Sequence, residues 1–224
     1  MNKGIFITGT GTDVGKTYVT ALFVKKLREA GINAGYYKAA ISGVGSVDHS
    51  DAAYVNSIAE IGEKEDMLLS YMYKTAASPH LAAKIEGNPL EIEKVKEDFQ
   101  KVSQCYEYVV MEGSGGVVCP LRYDQGAQIL LEDIIKLLEL ETLIVADAGL
   151  GAINAVVLTV EYLKQRGIGI RGIFLNNYTG GAIQEDNVKT IEAITGIPVL
   201  ALVAPYDKSL ELDEDTINRL IEVK

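Results

Sequence analysis

Short apolar runs alternate with amphipathic segments along most of the chain, and this alternation predicts its fold. The apolar runs indicate strands, which we place over 3–8, 34–38, 69–73, 106–111, 142–146, 172–176 and 198–204. Apolar residues at helical spacing indicate helices, of which the first two begin at Lys16 and near Asp51. Further helices are predicted over 78–87, 91–103, 130–140, 152–166 and 182–195, and the last begins at about Asp213. Buried strands joined by helices form parallel βαβ units. The pattern therefore predicts an α/β fold: a doubly wound, mostly parallel sheet flanked by helices, in a single domain over 1–224.

The first strand runs into a glycine-rich turn and then a helix, which is the setting of a phosphate-binding P-loop. The turn reads Gly9-Thr10-Gly11-Thr12-Asp13-Val14-Gly15-Lys16-Thr17. Backbone N–H groups here converge on anionic oxygens, Lys16 supplies a cation to the β- and γ-phosphates, and Thr17 offers a hydroxyl to Mg²⁺. The usual pattern, Gly-x-x-x-x-Gly-Lys, would put the first glycine at Thr10, so this loop is longer by one residue. The alternative is an ordinary glycine turn between a strand and a helix. The residues predicted to bind the nucleotide in and directly after this loop are Gly11, Thr12, Asp13, Val14, Gly15, Lys16, Thr17 and Tyr18.

Polar residues follow several of the other strands, at the edge where ligands collect in doubly wound sheets. Glu112 ends an apolar strand in the setting of an acid that holds Mg²⁺ directly or through water. Lys38 is either a second cation beside a phosphoryl group or a surface lysine, and Asp51 is either a metal ligand or a helix N-cap. The helix from Gly151 offers N–H groups to an anion, or follows a plain turn. Asn176 can read a base edge, and the guanine-specific Asn-Lys-x-Asp sequence does not follow it, which favours ATP over GTP.

Composition narrows the classes of function. The net charge is −10 and the acidic residues are spread along the chain, so we expect no nucleic-acid partner. Cys105, Cys119, His49 and His80 lack metal-ligand spacing, which argues against a zinc site and favours buried thiols. The N-terminus has no signal-peptide pattern, and no apolar stretch reaches the ~20 residues of a membrane span. We therefore expect a cytoplasmic protein without a membrane partner.

A set of motifs spread from the N-terminus to about Pro205 resembles one family of ATP-dependent ligases. The motifs are Gly9 to Thr17, Tyr37-Lys38-x-x-x-Ser42-Gly43, Ser50-Asp51, Ser78-Pro79-His80, Glu112-Gly-x-Gly-Gly116 and Gly151-x-x-Asn154. In this order they resemble dethiobiotin synthetase over nearly the whole chain. The resemblance implies a Mg²⁺- and ATP-dependent enzyme of biotin biosynthesis that closes a ureido ring on 7,8-diaminononanoate with CO₂. The implied intermediates are a carbamate and a carbamic–phosphoric anhydride.

The resemblance also implies roles for residues at matching positions. Lys16 and Lys38 would neutralise the carbamate and the transferring phosphoryl group, with Thr12 as the third catalytic residue. The implied metal ligands are Thr17, Asp51 and Glu112, and the implied adenine contacts are Asn176 and the backbone near Pro205. Because both lysines follow strand ends, we expect Lys16→Ala and Lys38→Ala to fold normally and to lose several orders of magnitude in rate.

The implied substrate site is shared between the subunits of a homodimer. Its residues are Thr12, Lys38, Ser42, Gly151 and Asn154, the last two at a helix start that the partner subunit would bring to the substrate carboxylate. Two positions depart from the family pattern: Asp13 stands where some relatives have Glu, and Ala39 where Pro often follows the lysine. Either change would shift the substrate slightly without removing a charge.

Other classes of P-loop protein remain as alternatives. An amidoligase of corrin synthesis would need a glutaminase domain, for which 224 residues leave no room. A partition or switch ATPase would carry an additional lysine near Gly11, which this loop lacks, and its ATPase would respond to a protein or DNA partner. A structural protein with an idle P-loop would show no ATP-dependent shift in melting temperature.

Overall fold

The computed structural model describes residues 3–222, and strands and helices alternate there as the sequence predicts. The strands are β1 (Gly4–Gly9), β2 (Ala34–Ser42), β3 (Leu69–Tyr73), β4 (Tyr108–Glu112), β5 (Pro120–Tyr123), β6 (Gln128–Leu130), β7 (Glu141–Asp147), β8 (Ile170–Asn176) and β9 (Val199–Val203). The α-helices are α1 (Lys16–Glu29), α2 (Asp51–Ile58), α3 (Glu65–Leu68), α4 (Pro79–Glu86), α5 (Ile92–Cys105), α6 (Leu131–Leu137), α7 (Ala152–Gln165), α8 (Ala182–Thr195) and α9 (Glu214–Ile221). Each strand and helix predicted above is present.

Within the described residues, seven strands form one parallel sheet in the order β3-β2-β4-β1-β7-β8-β9. The chain leaves β1 towards β2 on one side and later adds β7, β8 and β9 on the other. This reversal of strand order is the mark of a doubly wound sheet, so the predicted fold class is confirmed. Because all seven strands are parallel, their carboxyl ends lie along one edge.

Both faces of the sheet are buried, as parallel strands require. Phe6 of β1 packs into the hydrophobic cluster under α4 to α8, whereas Ile5 and Ile7 pack into the cluster under α1, α2 and α9. Full burial of each such side chain contributes about 1.5–3 kcal/mol. None of the helices described between residues 3 and 222 is long and apolar enough to cross a membrane.

Several local features differ from the sequence-based expectation, among them the additional short helix α3. The strand predicted over 34–38 continues to Ser42, which carries Lys38 into the middle of β2. A hairpin of β5 and β6 precedes α6; its short strands have no apolar alternation, and its turn is held by Asp124 Oδ1, which accepts from Gly126 N at 2.6 Å. Cys105 is exposed at the end of α5, so the expectation of a buried thiol is wrong there, while Cys119 is buried.

Candidate active site

The loop between β1 and α1 has the shape that its glycines predict. Gly15 has a φ of 85° and Asp13 a φ of 60°, both in the left-handed region, and α1 begins directly after this bend. A Cβ at Gly9 would lie 2.8 Å from Cδ of Lys16. The glycine that stands one residue early therefore leaves room for the lysine side chain, and the longer loop remains compatible with phosphate binding.

Lys16 folds back over this loop and is 8% exposed. Its Nζ donates a hydrogen bond to the carbonyl oxygen of Gly11 at 2.8 Å. Burial lowers the pKa of Lys16 because water is removed from the ammonium group, and the nearby carboxylate of Glu112 only partly offsets this. A partly desolvated ammonium in this position attracts phosphate oxygens more strongly than one in water.

Lys38 is 3% exposed, so the interpretation as a surface lysine is wrong. It stands opposite Glu112 in the register of β2 and β4. Its Nζ donates to Glu112 Oε1 at 2.9 Å and to Asp51 Oδ2 at 2.6 Å. Burial alone would lower the pKa of Lys38, but the two carboxylates outweigh it and raise the pKa. Lys38 is therefore a charged group at neutral pH, held between two anions.

Glu112 is 1% exposed and accepts hydrogen bonds from three side chains of the site. Its Oε1 accepts from Lys38 and also from Thr17 Oγ1 at 2.8 Å, while Oε2 accepts from the hydroxyl of Tyr36 at 3.1 Å. Tyr36 was not among the predicted residues. Its position in the strand could have indicated it. Residues two apart lie on the same face of a strand, and Tyr36 stands two residues before Lys38. Burial, reinforced by the carboxylate, raises the pKa of Tyr36 and keeps it a donor.

Asp51 is the first residue of α2, and the cap of that helix is Ser50. The Ser50 Oγ accepts from the backbone N–H of Ala53 at 3.2 Å. The interpretation of Asp51 as an N-cap is therefore wrong. Its carboxylate, with the side chain 43% exposed, is left to pair with Lys38.

These side chains line a cleft of ≈ 590 Å³ at the carboxyl edge of the sheet, a volume within the range of small-molecule sites. The cleft brings together most of the predicted phosphate, catalytic and metal-binding residues. Its lining comprises Thr12, Asp13, Gly15, Lys16, Thr17, Tyr18, Lys38, His49, Ser50, Asp51, Tyr54, Glu112, Gly113 and Gly115. His49 and Tyr54 were not predicted, and no local pattern marks them, since they reach the cleft only because α2 and the 3₁₀ turn Val47–His49 before it lie beside the cleft.

Asn176, at the end of β8, lies against the phosphate loop. Its Nδ2 donates to the carbonyl oxygen of Val14 at 3.1 Å, and a Cβ at Gly15 would come within 2.1 Å of that nitrogen. The Oδ1 is buried and has no hydrogen-bond partner among the described residues. The side chain thus leaves one acceptor available beside the loop.

Other predicted site residues lie outside the cleft. Ser42 Oγ donates its proton to the carbonyl oxygen of Ala77 at 2.6 Å, so the predicted hydrogen bond to substrate would have to use its lone pairs. Pro205 is exposed in the loop after β9, next to the strand of Asn176. Gly151 and Asn154 are exposed at the start of α7 and are separate from the cleft lining given above.

Comparisons with known proteins decide the family. A family model described as an AAA domain matches residues 3–212. A protein of Brachyspira hyodysenteriae named ATP-dependent dethiobiotin synthetase BioD is 47% identical over 223 residues, which cover 99% of this chain and 100% of that protein. A protein of the same name from Clostridium novyi is 47% identical over 208 residues, 91% of this chain and 87% of its own. The chain belongs to the dethiobiotin synthetase family.

Membership of the dethiobiotin synthetase family confirms the resemblance seen in the motifs and classifies the chain as an ATP-dependent ligase. Solved structures are alike at much lower identity. A chain of the MinC:MinD cell division protein complex of Aquifex aeolicus is 16% identical with a TM-score of 0.58, over 97% of this chain and 86% of that one. A ParA family ATPase of Chlorobium tepidum is 16% identical with a TM-score of 0.54, over 98% of this chain and 89% of that one. At these identities the likeness shows the P-loop NTPase fold alone.

Proposed function

We propose that the chain is a dethiobiotin synthetase that uses ATP and CO₂ to close the ureido ring on 7,8-diaminononanoate. The observation that carries this proposal is the buried Lys38, held between Asp51 and Glu112 beside the phosphate loop. Two anions, a carbamate and a transferring phosphoryl group, have to meet in this reaction. Lys38 from β2 and Lys16 from α1 supply two cations that would stabilise the carbamate and the transferring phosphoryl group.

The proposed reaction has three steps. One amine adds to CO₂ and loses a proton, which gives a carbamate. A carbamate oxygen attacks the γ-phosphorus, the bond from that phosphorus to the bridging oxygen breaks, and ADP leaves. The second amine attacks the carbonyl carbon of the resulting carbamic–phosphoric anhydride, phosphate leaves, and the ring closes with loss of a proton. The side chains of the cleft contribute position and charge rather than a covalent bond.

Mg²⁺ is the proposed metal, and the donor set of the cleft fits it. Thr17, Asp51 and Glu112 carry hard oxygen atoms, and they belong to one hydrogen-bonded cluster around Lys38. Mg²⁺ in proteins is usually held by one or two carboxylates together with substrate phosphates. When bound, the ion would neutralise the β- and γ-phosphate oxygens.

The free acceptor of Asn176 supports a base that carries an amino group. Its amide nitrogen is already committed to Val14, so the side chain offers Oδ1 rather than an N–H group to a base. Adenine presents an amino group on its Watson–Crick side, whereas guanine presents a keto oxygen at the same position. We propose that adenine binds between Asn176 and the backbone near Pro205.

The substrate carboxylate is proposed to bind at the start of α7, across a homodimer interface. Leu150 before α7, Leu158 of α7 and Ile183 of α8 are large apolar residues that are 90%, 62% and 60% exposed. Asn187 of α8 donates to the carbonyl oxygen of Gly149 at 3.0 Å and so holds the loop of Leu150 against the helix of Ile183. Exposed apolar surface of this kind marks an interface.

Pairing through this surface would present Gly151 and Asn154 of one subunit to the cleft of the other. The helix N-terminus supplies N–H groups suited to a single carboxylate charge. Sedimentation velocity tests the pairing, and a single species at the 24.2 kDa of one chain would contradict it. A biosynthetic enzyme that consumes ATP, with both cysteines as free thiols, suits the cytoplasm.

The decisive experiment follows labelled carbon. The protein is incubated with diaminononanoate, labelled bicarbonate, Mg²⁺ and ATP, and the label is expected in an acid-stable cyclic urea. Omission of the diamine should abolish both the labelled product and the release of phosphate. Phosphate release that ignores the diamine and bicarbonate but responds to a protein or DNA partner would contradict the proposal and favour a switch ATPase.

A further inference from the structure

The side chain of Tyr18 bridges the phosphate-loop helix and a distant loop. Tyr18 lies in the first turn of α1, directly after Thr17. Its hydroxyl donates to the carbonyl oxygen of Asp207 at 2.6 Å and lies 3.5 Å from that of Ala204. Both acceptors belong to residues 204–207, the loop after β9, which we call the base loop.

The base loop holds a conformation that its sequence does not favour. Tyr206 has a φ of 69°, in the left-handed region that side chains larger than asparagine rarely adopt, and its side chain is 92% exposed. Contacts hold the bend: Asp207 Oδ2 accepts from the backbone N–H of Ala204 at 2.7 Å, and the hydroxyl of Tyr18 contacts both ends of the turn. Strain that is maintained in this way is typical of a functional loop.

The base loop is adjacent to the unused acceptor of Asn176. β8 and β9 are neighbours, with Asn176 opposite Val203 in their register, and the base loop begins immediately after Val203. The backbone N–H of Tyr178 donates to the Val203 carbonyl oxygen at 2.9 Å, which fixes the ends of the two strands together. Among the described residues, two side chains of α1 donate hydrogen bonds here: Tyr18 to the base loop itself, and Lys25 to the carbonyl oxygen of Lys208, one residue beyond it, at 3.4 Å. The position of the base loop relative to the phosphate loop therefore depends in part on the contact of Tyr18.

We propose that Tyr18 is a positioning residue that sets the base loop for the nucleotide base and ties its position to the phosphate loop. The inference rests on the proposed function, in which the base lies between Asn176 and the base loop. Tyr18 itself need not touch the base. Its hydroxyl determines how far the base loop stands from the phosphates, and hence whether base and phosphates bind at the same time.

The test compares a nucleotide with a phosphate chain that has no base. The Tyr18→Phe variant keeps the ring and loses the hydroxyl. We expect its Kd for MgATP to rise about fivefold, the effect of one hydrogen bond, and its Kd for Mg-tripolyphosphate to stay unchanged. In turnover, KM for ATP should rise by the same factor while kcat stays close to that of the unmodified protein. Calorimetry measures both Kd values.

Tyr108→Phe is the matched control. Tyr108 also donates from its hydroxyl to a distant carbonyl oxygen, that of Leu220 at 2.8 Å, but it lies at the amino end of β4, away from the cleft. It should lower the melting temperature and leave both Kd values unchanged. Equal weakening of MgATP and tripolyphosphate by Tyr18→Phe, or no change in either, would overturn the proposal. Failure of the proposed function is a separate outcome, in which the unmodified protein forms no cyclic urea whatever the two Kd values are.

Discussion

Lys38 and Asp98 are both buried and both charged, but the one is a cation between two anions and the other an anion between two cations. The lysine-centred cluster places one ammonium between the carboxylates of Asp51 and Glu112. The aspartate-centred cluster places the carboxylate of Asp98, 6% exposed, between Lys94 and Lys101 of its own helix. The first therefore carries an excess of negative charge and the second an excess of positive charge.

The two clusters also differ in what surrounds them. The lysine-centred cluster lines the cleft, so its charged groups are within reach of a ligand bound there. The aspartate-centred cluster is anchored by Ser70, whose Oγ donates to Asp98 at 2.6 Å, and its lysine side chains are 48% and 62% exposed. We interpret a buried ion cluster that lines the cleft as functional, and one that is absent from the cleft lining, as that of Asp98 is, as structural. The predictions below test that distinction.

The largest effect is expected from Lys38→Met. Turnover should fall by about 10³-fold or more, because the cation proposed to face the carbamate and the phosphoryl group is lost. The burial of Lys38 also revises the expectation of normal folding, since Glu112 would be left without its buried partner at a cost of about 3–5 kcal/mol in unfolding free energy. Cyclic urea formation and urea denaturation measure the two effects. Near-normal turnover would remove Lys38 from the catalytic set.

The next largest effect is expected from Glu112→Gln. The amide keeps the size of the side chain but loses the charge that a divalent ion needs, so the Mg²⁺ concentration for half-maximal turnover should rise about 10- to 100-fold. Manganese binding in the presence of ATP, followed by electron paramagnetic resonance, gives a readout independent of turnover. An unchanged metal dependence would mean that Glu112 serves only to hold Lys38 and Thr17.

Asp98→Asn should affect stability and leave turnover unchanged. Burial would raise the pKa of Asp98, but hydrogen bonds from Lys101, Lys94 and Ser70 outweigh it and lower the pKa. A carboxylate with a lowered pKa in the folded state stabilises above its unfolded pKa and loses that contribution as pH falls through the folded value. The variant should lose about 1–2 kcal/mol at neutral pH, and the difference should close below about pH 4. Urea denaturation over this pH range measures it; a gap that widens in acid would refute this view of Asp98.

Lys101→Met should have the smallest effect. Its side chain is 62% exposed, so solvent screens the pair with Asp98 and the loss in unfolding free energy should be much smaller than that of Asp98→Asn. Added salt should reduce this further. Thermal unfolding at low and high ionic strength measures the difference. A loss as large as that of Asp98→Asn would show that the outer lysines, rather than Ser70, hold the cluster.

Much of the fold and most of the cleft lining were predictable because their signals are local. Periodicity over a few residues marks buried strands and helices. The turn from Gly9 to Thr17 has the glycines, lysine and threonine that are typical of a phosphate-binding loop. Lys38 and Glu112 were found for the same reason, since each stands in or at the end of an apolar strand. The hairpin of β5 and β6 was missed because its strands are too short to show a period.

The remaining features were decided by the tertiary structure alone. Strand order places β2 beside β4 and brings Lys38, in the middle of β2, opposite Glu112 at the end of β4, which turns two residues of separate strands into a buried ion pair. Tyr36 reaches Glu112, and Tyr18 reaches Asp207, across separations that no window of sequence spans. The sequence alone thus determined which residue types stand at the ends of the strands, whereas their partners depended on which strands became neighbours. That choice follows from packing both faces of the sheet at once, a property of the whole chain.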